Sequence, residues 1–244
     1  MRIISIHQPA YLPWLGYFHK IALADIFVFF NTTQFEKNSF INRNKIKTSH
    51  GPIWLSVPVS LKDHLQKEIQ QIEIADKTWP IKHWKTIELN YVKAPYWPVY
   101  SPEIKKLYQK DYQTIDQICY DQLILFNKFL GIKTKIIKSS ALPEFTSKKE
   151  ELVLEILDEL RADAYISGAL GKEYIHSENF KKRHIRLYYQ NYQHPAYQQL
   201  WSADFSPYMS VIDLLFNHGP KSFEILMSEN VTQKDLQNNP KLYE

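Results

Sequence analysis

The chain opens on MRIISIHQPAYLPWLGYFHKIALADIFVFF. Two short, β-branched apolar runs, Ile3 to Ile6 and Ile26 to Phe30, bracket a stretch with an apolar helical face from Leu15 to Leu23. Strand, short helix, strand is a βαβ unit, and its crossover makes the two strands parallel. This restricts the chain to the α/β class, with a mainly parallel sheet and flanking helices. It also sets the loop after the first strand at the carboxyl edge of the sheet, where open α/β sheets hold ligands. That loop is crowded: His7 is followed by two prolines, three aromatics and a glycine before residue 18.

The rest of the chain extends the pattern. INRNKIKTSHGPIWLSVPV reads as a β-hairpin turning at Ser49 to Pro52. In its first arm Ile41, Arg43, Lys45 and Lys47 share one face, and Asn42, Asn44 and Ile46 the other. Further strands are expected at Ile69 to Ile74, Lys133 to Lys138, Tyr165 to Ser167 and Ile185 to Tyr189. Helices are expected at Trp79 to Val92, and in two pieces from Ile104 to Leu130 after a break at Pro95 to Pro102. Two more follow, at Lys148 to Leu160 with Thr146 and Ser147 as caps, and at Pro207 to Phe216. The expectation is a single α/β domain over residues 1–230, a helical insert near 76–130, and a polar, frayed tail at 231–244.

Composition excludes several classes. With 244 residues, 44% of them hydrophobic and 23% charged, the chain buries a real core. No stretch approaches the ~20 apolar residues of a membrane span, and the start lacks the apolar core of a signal peptide. A cytoplasmic location is expected, with any membrane role peripheral. Net charge is +4 with dispersed Lys and Arg, which suits an anionic small-molecule substrate and not nucleic acid. The one cysteine, Cys119, excludes an internal disulfide and sits at an apolar helical position, as a core thiol. No paired His or Glu–His ligand spacing, Gly-x-Gly-x-x-Gly or Gly-x-Ser-x-Gly occurs, so no metal ligands are assigned and the cofactor stays open. Oligomeric state is not legible.

Candidate chemistry starts in the first loop. Gly16 at a helix start leaves free N–H groups for an anion, or gives packing room. Lys20 lies one turn later, and His7 ends the strand as a general base, a phosphate donor or a backbone partner. Arg43, Lys45 and Lys47 on one strand face, with Asn42 and Asn44 opposite, suit a sugar-nucleotide diphosphate, or form a solvated strand face. Ser167 and Gly168 end a strand as an anion nest near Lys172, or as a plain turn. Tyr197 and Gln199 are neutral donors suited to sugar hydroxyls or to packing, and Asp213 is a lone acid in an apolar helix. The βαβ rule and the short connection after Asn31 put the first loop and Arg43 and Lys45 around one pocket.

IHQPAYLPWLGYFHKI, VFFNTTQF and SFINRNKIKT closely resemble the signature of the WbqC-like family, as do the later blocks YISG, YQHPAYQQ and SVIDLLFNHG. The resemblance implies a bacterial enzyme of O-antigen or surface-polysaccharide biosynthesis. It implies a transferase of nucleotidyl, acyl or aminoacyl groups on an activated or amino sugar, with a nucleotide sugar or acyl donor as partner. A non-catalytic ligand-binding or scaffold protein of the same pathway is the alternative. Carried onto this chain, the motif positions are His7, Gln8, Tyr11, Pro13, Trp14, Gly16, Tyr17 and Lys20, then Asn31, Gln34, Asn42, Arg43 and Lys45, then Ser167, Gly168, Tyr197, Gln199 and Asp213. Of these, His7, Tyr17 and Lys20 are the catalytic candidates, and the others, Pro13 and Asp213 aside, are the substrate-binding candidates. The opening also resembles the HIGH-type nucleotidyltransferases, which include pantothenate synthetase. Aligned on Gly16, that family's two phosphate-holding His positions fall on Trp14 and Tyr17, with His7 or His19 as substitutes.

Overall fold

The computed structural model describes residues 1–173, 175–201 and 204–244. In chain order the first elements are β1 (Ile3–His7), α1 (Leu15–Ala22), β2 (Ile26–Phe29), β3 (Arg43–Thr48) and β4 (Gly51–Ser56). Three helices follow, α2 (Trp79–Tyr91), α3 (Trp97–Leu107) and α4 (Ile115–Leu130). Then come β5 (Lys135–Lys138), α5 (Lys149–Glu159), β6 (Ala164–Ser167), α6 (Ser177–Lys182) and β7 (Arg186–Tyr189). The chain closes with α7 (Val211–His218), α8 (Ser222–Met227) and α9 (Gln233–Asn238).

Five parallel strands form the sheet in the order β5-β2-β1-β6-β7, and β3 pairs with β4 as a separate antiparallel hairpin. The α/β class with a mainly parallel sheet is therefore the fold. Alternation along the strands sorts the two faces. Ile4, Ile6, Val28, Tyr165 and Leu187 pack under α5 and α6 with Leu154, Leu157 and Phe180. Phe27 and Phe29 point the other way, into the larger core that holds α1, the three insert helices and α7.

The winding direction reverses between β1 and β6, which makes their junction the switch point where doubly wound sheets open a crevice. The register shows the opening. Pairing of β1 with β2 runs to His7–Phe29, and of β6 with β7 to Ser167–Tyr189. Pairing of β1 with β6 stops at Ser5–Ile166.

The first loop is clamped across this edge. Leu12 adopts a left-handed backbone, φ 44°, a conformation costly for a branched side chain. Its N–H donates to Gln122 Oε1 at 2.7 Å and its carbonyl accepts from Asn44 Nδ2 at 2.7 Å. Tyr11 N donates to the Phe40 carbonyl, and the Pro13 carbonyl accepts from Val211 N. The insert, the hairpin and α7 thus hold three consecutive residues.

Several boundaries differ from the sequence-based expectation. Pro95 to Pro102 does not break the helix fully: α3 starts at Trp97, with Pro98 in the first turn where its missing N–H costs nothing. Pro102 lies inside α3, which buried Trp97, Tyr100 and Ile104 anchor. Ile69 to Ile74 is no strand; Glu68 and Gln71 cap a 3₁₀ turn that buries Ile69, and the stretch makes isolated bridges, Glu73 with Thr114 and Ile74 with Val59. Neither Thr146 nor Ser147 caps α5, because Ser147 Oγ donates instead to Glu155. The helix expected from Pro207 starts at Val211, where Ser210 caps it. The tail is ordered: a Thr232–Asp235 capping box starts α9, and Leu236 is fully buried with Ile3 and Ile166.

Replacing Asn44 with alanine strands the Leu12 carbonyl in the core. A loss of about 1–3 kcal/mol is expected, a fall in Tm of roughly 2–10 °C by thermal denaturation. An unchanged Tm contradicts the clamp.

Candidate functional site

Where the pairing of β1 with β6 ends, several polar groups lie buried together. Lys20, on the third residue from the end of α1, is 3% exposed. Its Nζ donates to the Ile6 carbonyl at 2.9 Å, at the point where β1 leaves its pairing with β6. Among the described residues no carboxylate pairs with it. Burial alone drives its pKa from the usual lysine range down to about 7.

His7 ends β1 on the same face of the sheet. Its ring is partly buried and meets Tyr17 edge to face at 4.8 Å. Nδ1 lies 3.0 Å from the Gln8 carbonyl, which can only accept, so Nδ1 carries the proton and Nε2 keeps a free lone pair. Burial, then the Lys20 charge, push its pKa down to about 3, against the Gln8 hydrogen bond. The ring is neutral at pH 7. Tyr17 OH also donates to the Gln8 carbonyl, at 3.2 Å, and burial lifts its pKa well above the usual tyrosine value. His7, Gln8, Tyr17 and Lys20 therefore form one cluster.

Most other candidates are tied into networks that hold the site in place. Trp14 precedes α1 with its indole over Gly16; a Cβ there would stand 2.1 Å from the ring, so Gly16 is the space that the indole fills. Trp14 also meets Tyr192 and Tyr208. Tyr11 points into the insert, its hydroxyl 2.7 Å from His83 Nδ1 and 2.9 Å from Tyr108 OH. His19 uses both ring nitrogens: Nε2 donates to the Val231 carbonyl and Nδ1 accepts from Gln190 Nε2. Gln190, just past β7, also donates to the Gly16 carbonyl and so fastens the start of α1 across the sheet edge.

Asn31, just past β2, is saturated. Its oxygen accepts from Ser139 Oγ and Ser140 N, and its amide donates to Asp116 Oδ2 at 3.2 Å. Gln34 is exposed and bridges to Glu68. Asn42 donates to the Val57 carbonyl. Arg43 and Lys45 lie over the Trp54 ring, 4.6 and 5.0 Å from its centroid, on the hairpin face away from Asn44. The pocket expected between them and the first loop is replaced by a packed contact, because it is the Asn44 face that turns to the loop. Ser167 has the register of Ile6, which puts it on the sheet face opposite His7. It is fully buried and its Oγ has no hydrogen-bond partner among the described residues. Gly168 closes the turn by accepting from Gly171 N, and Lys172 turns to the Tyr189 ring and Glu244.

Tyr197, Gln199 and Asp213 form a different centre. Fully buried Asp213 accepts from Tyr91 OH at 2.8 Å, Tyr197 OH at 3.0 Å and Gln199 Nε2 at 2.8 Å. Buried Lys47 donates to Gln199 Oε1. Burial raises the Asp213 pKa, and its three donors oppose that. This network pins β3 to α2 and α7.

The profile of the WbqC-like protein family matches residues 8–225, from Gln8 in the first loop into α8. The chain belongs to the WbqC-like protein family. It is similar to the uncharacterized protein Rv1507c of Mycobacterium tuberculosis, with 31% identity over 228 residues, 93% of this chain and 98% of that one. No solved structure matches it.

Within this WbqC-like chain Lys20 is held against its own solvation. Its folded pKa near 7 lies below the unfolded value of ~10.5, so the unfolded state binds the extra proton between those values. The penalty is complete below pH 7 and fades as pH rises towards 10.5, with an upper limit of ~5 kcal/mol. Lys20→Met removes this penalty but strands the Ile6 carbonyl, which costs about 1–3 kcal/mol, so Tm is expected to rise by no more than roughly 3–10 °C at pH 6, the gain shrinking steadily up to pH 10. A variant less stable than the parent at pH 6 would mean that Lys20 is a structural prop.

Proposed function

We propose that this protein is a transferase of surface-polysaccharide assembly, acting on an activated or amino sugar, with its reaction centre at the β1–β6 junction. Buried lysines are normally paired, because an isolated ammonium in a low-dielectric interior is costly. Lys20 is buried beside a neutral imidazole with no carboxylate partner among the described residues, and this single observation carries the proposal. The sugar class is what the resemblance of the sequence motifs to WbqC-like proteins implies; it does not come from the geometry.

The groups divide the work by protonation state. A general base is most effective when its pKa sits near the working pH, which fits Lys20 and not His7. The neutral Lys20 amine takes the proton that an acceptor hydroxyl or amine loses as its oxygen or nitrogen bonds to the transferred group, while the bond from that group to the donor's leaving group breaks and the leaving group departs with the electron pair. The His7 Nε2 lone pair accepts a hydrogen bond from that same acceptor and orients it. Tyr17 holds the Gln8 carbonyl, which in turn fixes the His7 tautomer. The sequence leaves three donor classes open, nucleotidyl, acyl and aminoacyl.

A thermal-shift screen of nucleotides, nucleotide sugars and acyl donors identifies the donor. A ligand at a hundred times its Kd stabilises by about 2.7 kcal/mol. With that donor, Lys20→Met is expected to keep the shift and lose turnover by roughly 10²–10⁴, and the parent rate is expected to rise with pH through about 7. A panel with no stabilising member, or a Lys20→Met variant that turns over like the parent, overturns the proposal.

A further inference from the structure

The hairpin carries a second surface that the site does not use. Between Glu36 and Asp63 the sequence has no acidic residue, while Lys37, Arg43, Lys45, Lys47 and Lys62 all fall in that span. The hairpin's inner face is spent on the fold, with Asn44, Ile46 and Leu55 buried against the first loop and the main core. Its outer face is not. Trp54 is 43% exposed and Phe40 47% exposed, with their rings 5.9 Å apart.

Arg43 and Lys45 flank the Trp54 ring from the neighbouring strand, and among the described residues neither has a carboxylate partner. Both cations lie over the Trp54 ring, and Arg43 also donates to the Asn38 carbonyl. The result is a solvent-exposed surface of two large aromatics and two cations without a carboxylate partner among the described residues. A small anion needs walls around it, and this face is open to solvent. An extended anionic surface needs the opposite: aromatic rings to sit at headgroup depth and Lys or Arg to meet lipid phosphates.

We propose that the outer face of the β3–β4 hairpin docks the protein on an anionic lipid surface, with Trp54 and Phe40 at headgroup depth and Arg43 and Lys45 on the lipid phosphates. The charge complementarity of an acid-free hairpin selects a lipid surface that is negative. The attachment is peripheral and reversible, since no helix among the described residues is long and apolar enough to cross a membrane.

Flotation with vesicles tests this on the whole chain. Vesicles containing phosphatidylglycerol are expected to carry the protein up the gradient at low salt, and phosphatidylcholine vesicles are not. Each juxtamembrane cation lost weakens binding by roughly fivefold, so the double variant R43Q/K45Q should bind about 25-fold more weakly, with high salt acting in the same direction. Trp54→Ala should also lower binding, at unchanged Tm, and brominated phosphatidylglycerol should quench the parent's fluorescence more than that of Trp54→Phe. Absence of binding to phosphatidylglycerol vesicles overturns the proposal, as does binding that both variants retain. It is equally overturned if the face proves to hold a second copy, seen as a Trp54-dependent dimer, or a soluble nucleotide sugar, with no vesicle association.

Discussion

A single hydrogen bond, from the Lys20 ammonium to the Ile6 carbonyl, sits where the sheet stops being a sheet. Three of the sheet's four ladders continue to the ends of their strands, and that of β1 with β6 does not. An unpaired carbonyl in a buried sheet must find a donor or lose the free energy of its solvation. Lysine supplies that donor from α1, and in doing so places a buried amine at the strand junction where the winding reverses. The same bond therefore completes the backbone accounting of β1 and sets the chemistry of the junction.

The rest of the carboxyl edge exists to keep this arrangement rigid. Leu12 is held in a left-handed conformation by Gln122 and Asn44, Gly16 is sealed under Trp14, and α1 is tethered at its start through Gln190. The costly aromatics and prolines of the first loop go into these contacts. Asp213 shows the contrast with Lys20. It too is a buried ionisable group, but three donors and the Lys47 charge compensate it. A buried charge that is fully partnered serves the fold, and one left without a counter-ion is the mark of a site.

Much of this was legible in the sequence where the signal is local. Two β-branched runs around a helical face gave the parallel unit, and that unit put His7, Gln8, Tyr17 and Lys20 at one strand end. The hairpin alternation was equally readable, but not which of its faces turns inward, because one carries cations with Ile41 and the other asparagines with Ile46. Asn42 and Asn44 proved to spend their poor strand propensity on backbone carbonyls of the second arm and of the first loop. Gln190 escaped notice because its partners lie 174 and 171 positions earlier, and Gln122 because it meets Leu12 from 110 positions away. No periodicity encodes such pairs. The tail was misjudged for a related reason: one apolar residue, Leu236, docks a polar helix, and a lone leucine makes no pattern.

The central claim is that the Lys20 amine titrates near neutrality in the folded protein. Heteronuclear NMR of lysine labelled at Cε and Nζ, with Lys20→Met to assign the signal, reads that titration directly. A lysine resonance with a midpoint at about 7 that is missing from Lys20→Met is the expected result. A Lys20 resonance with its midpoint at ~10.4, the value of a free lysine, would contradict the account.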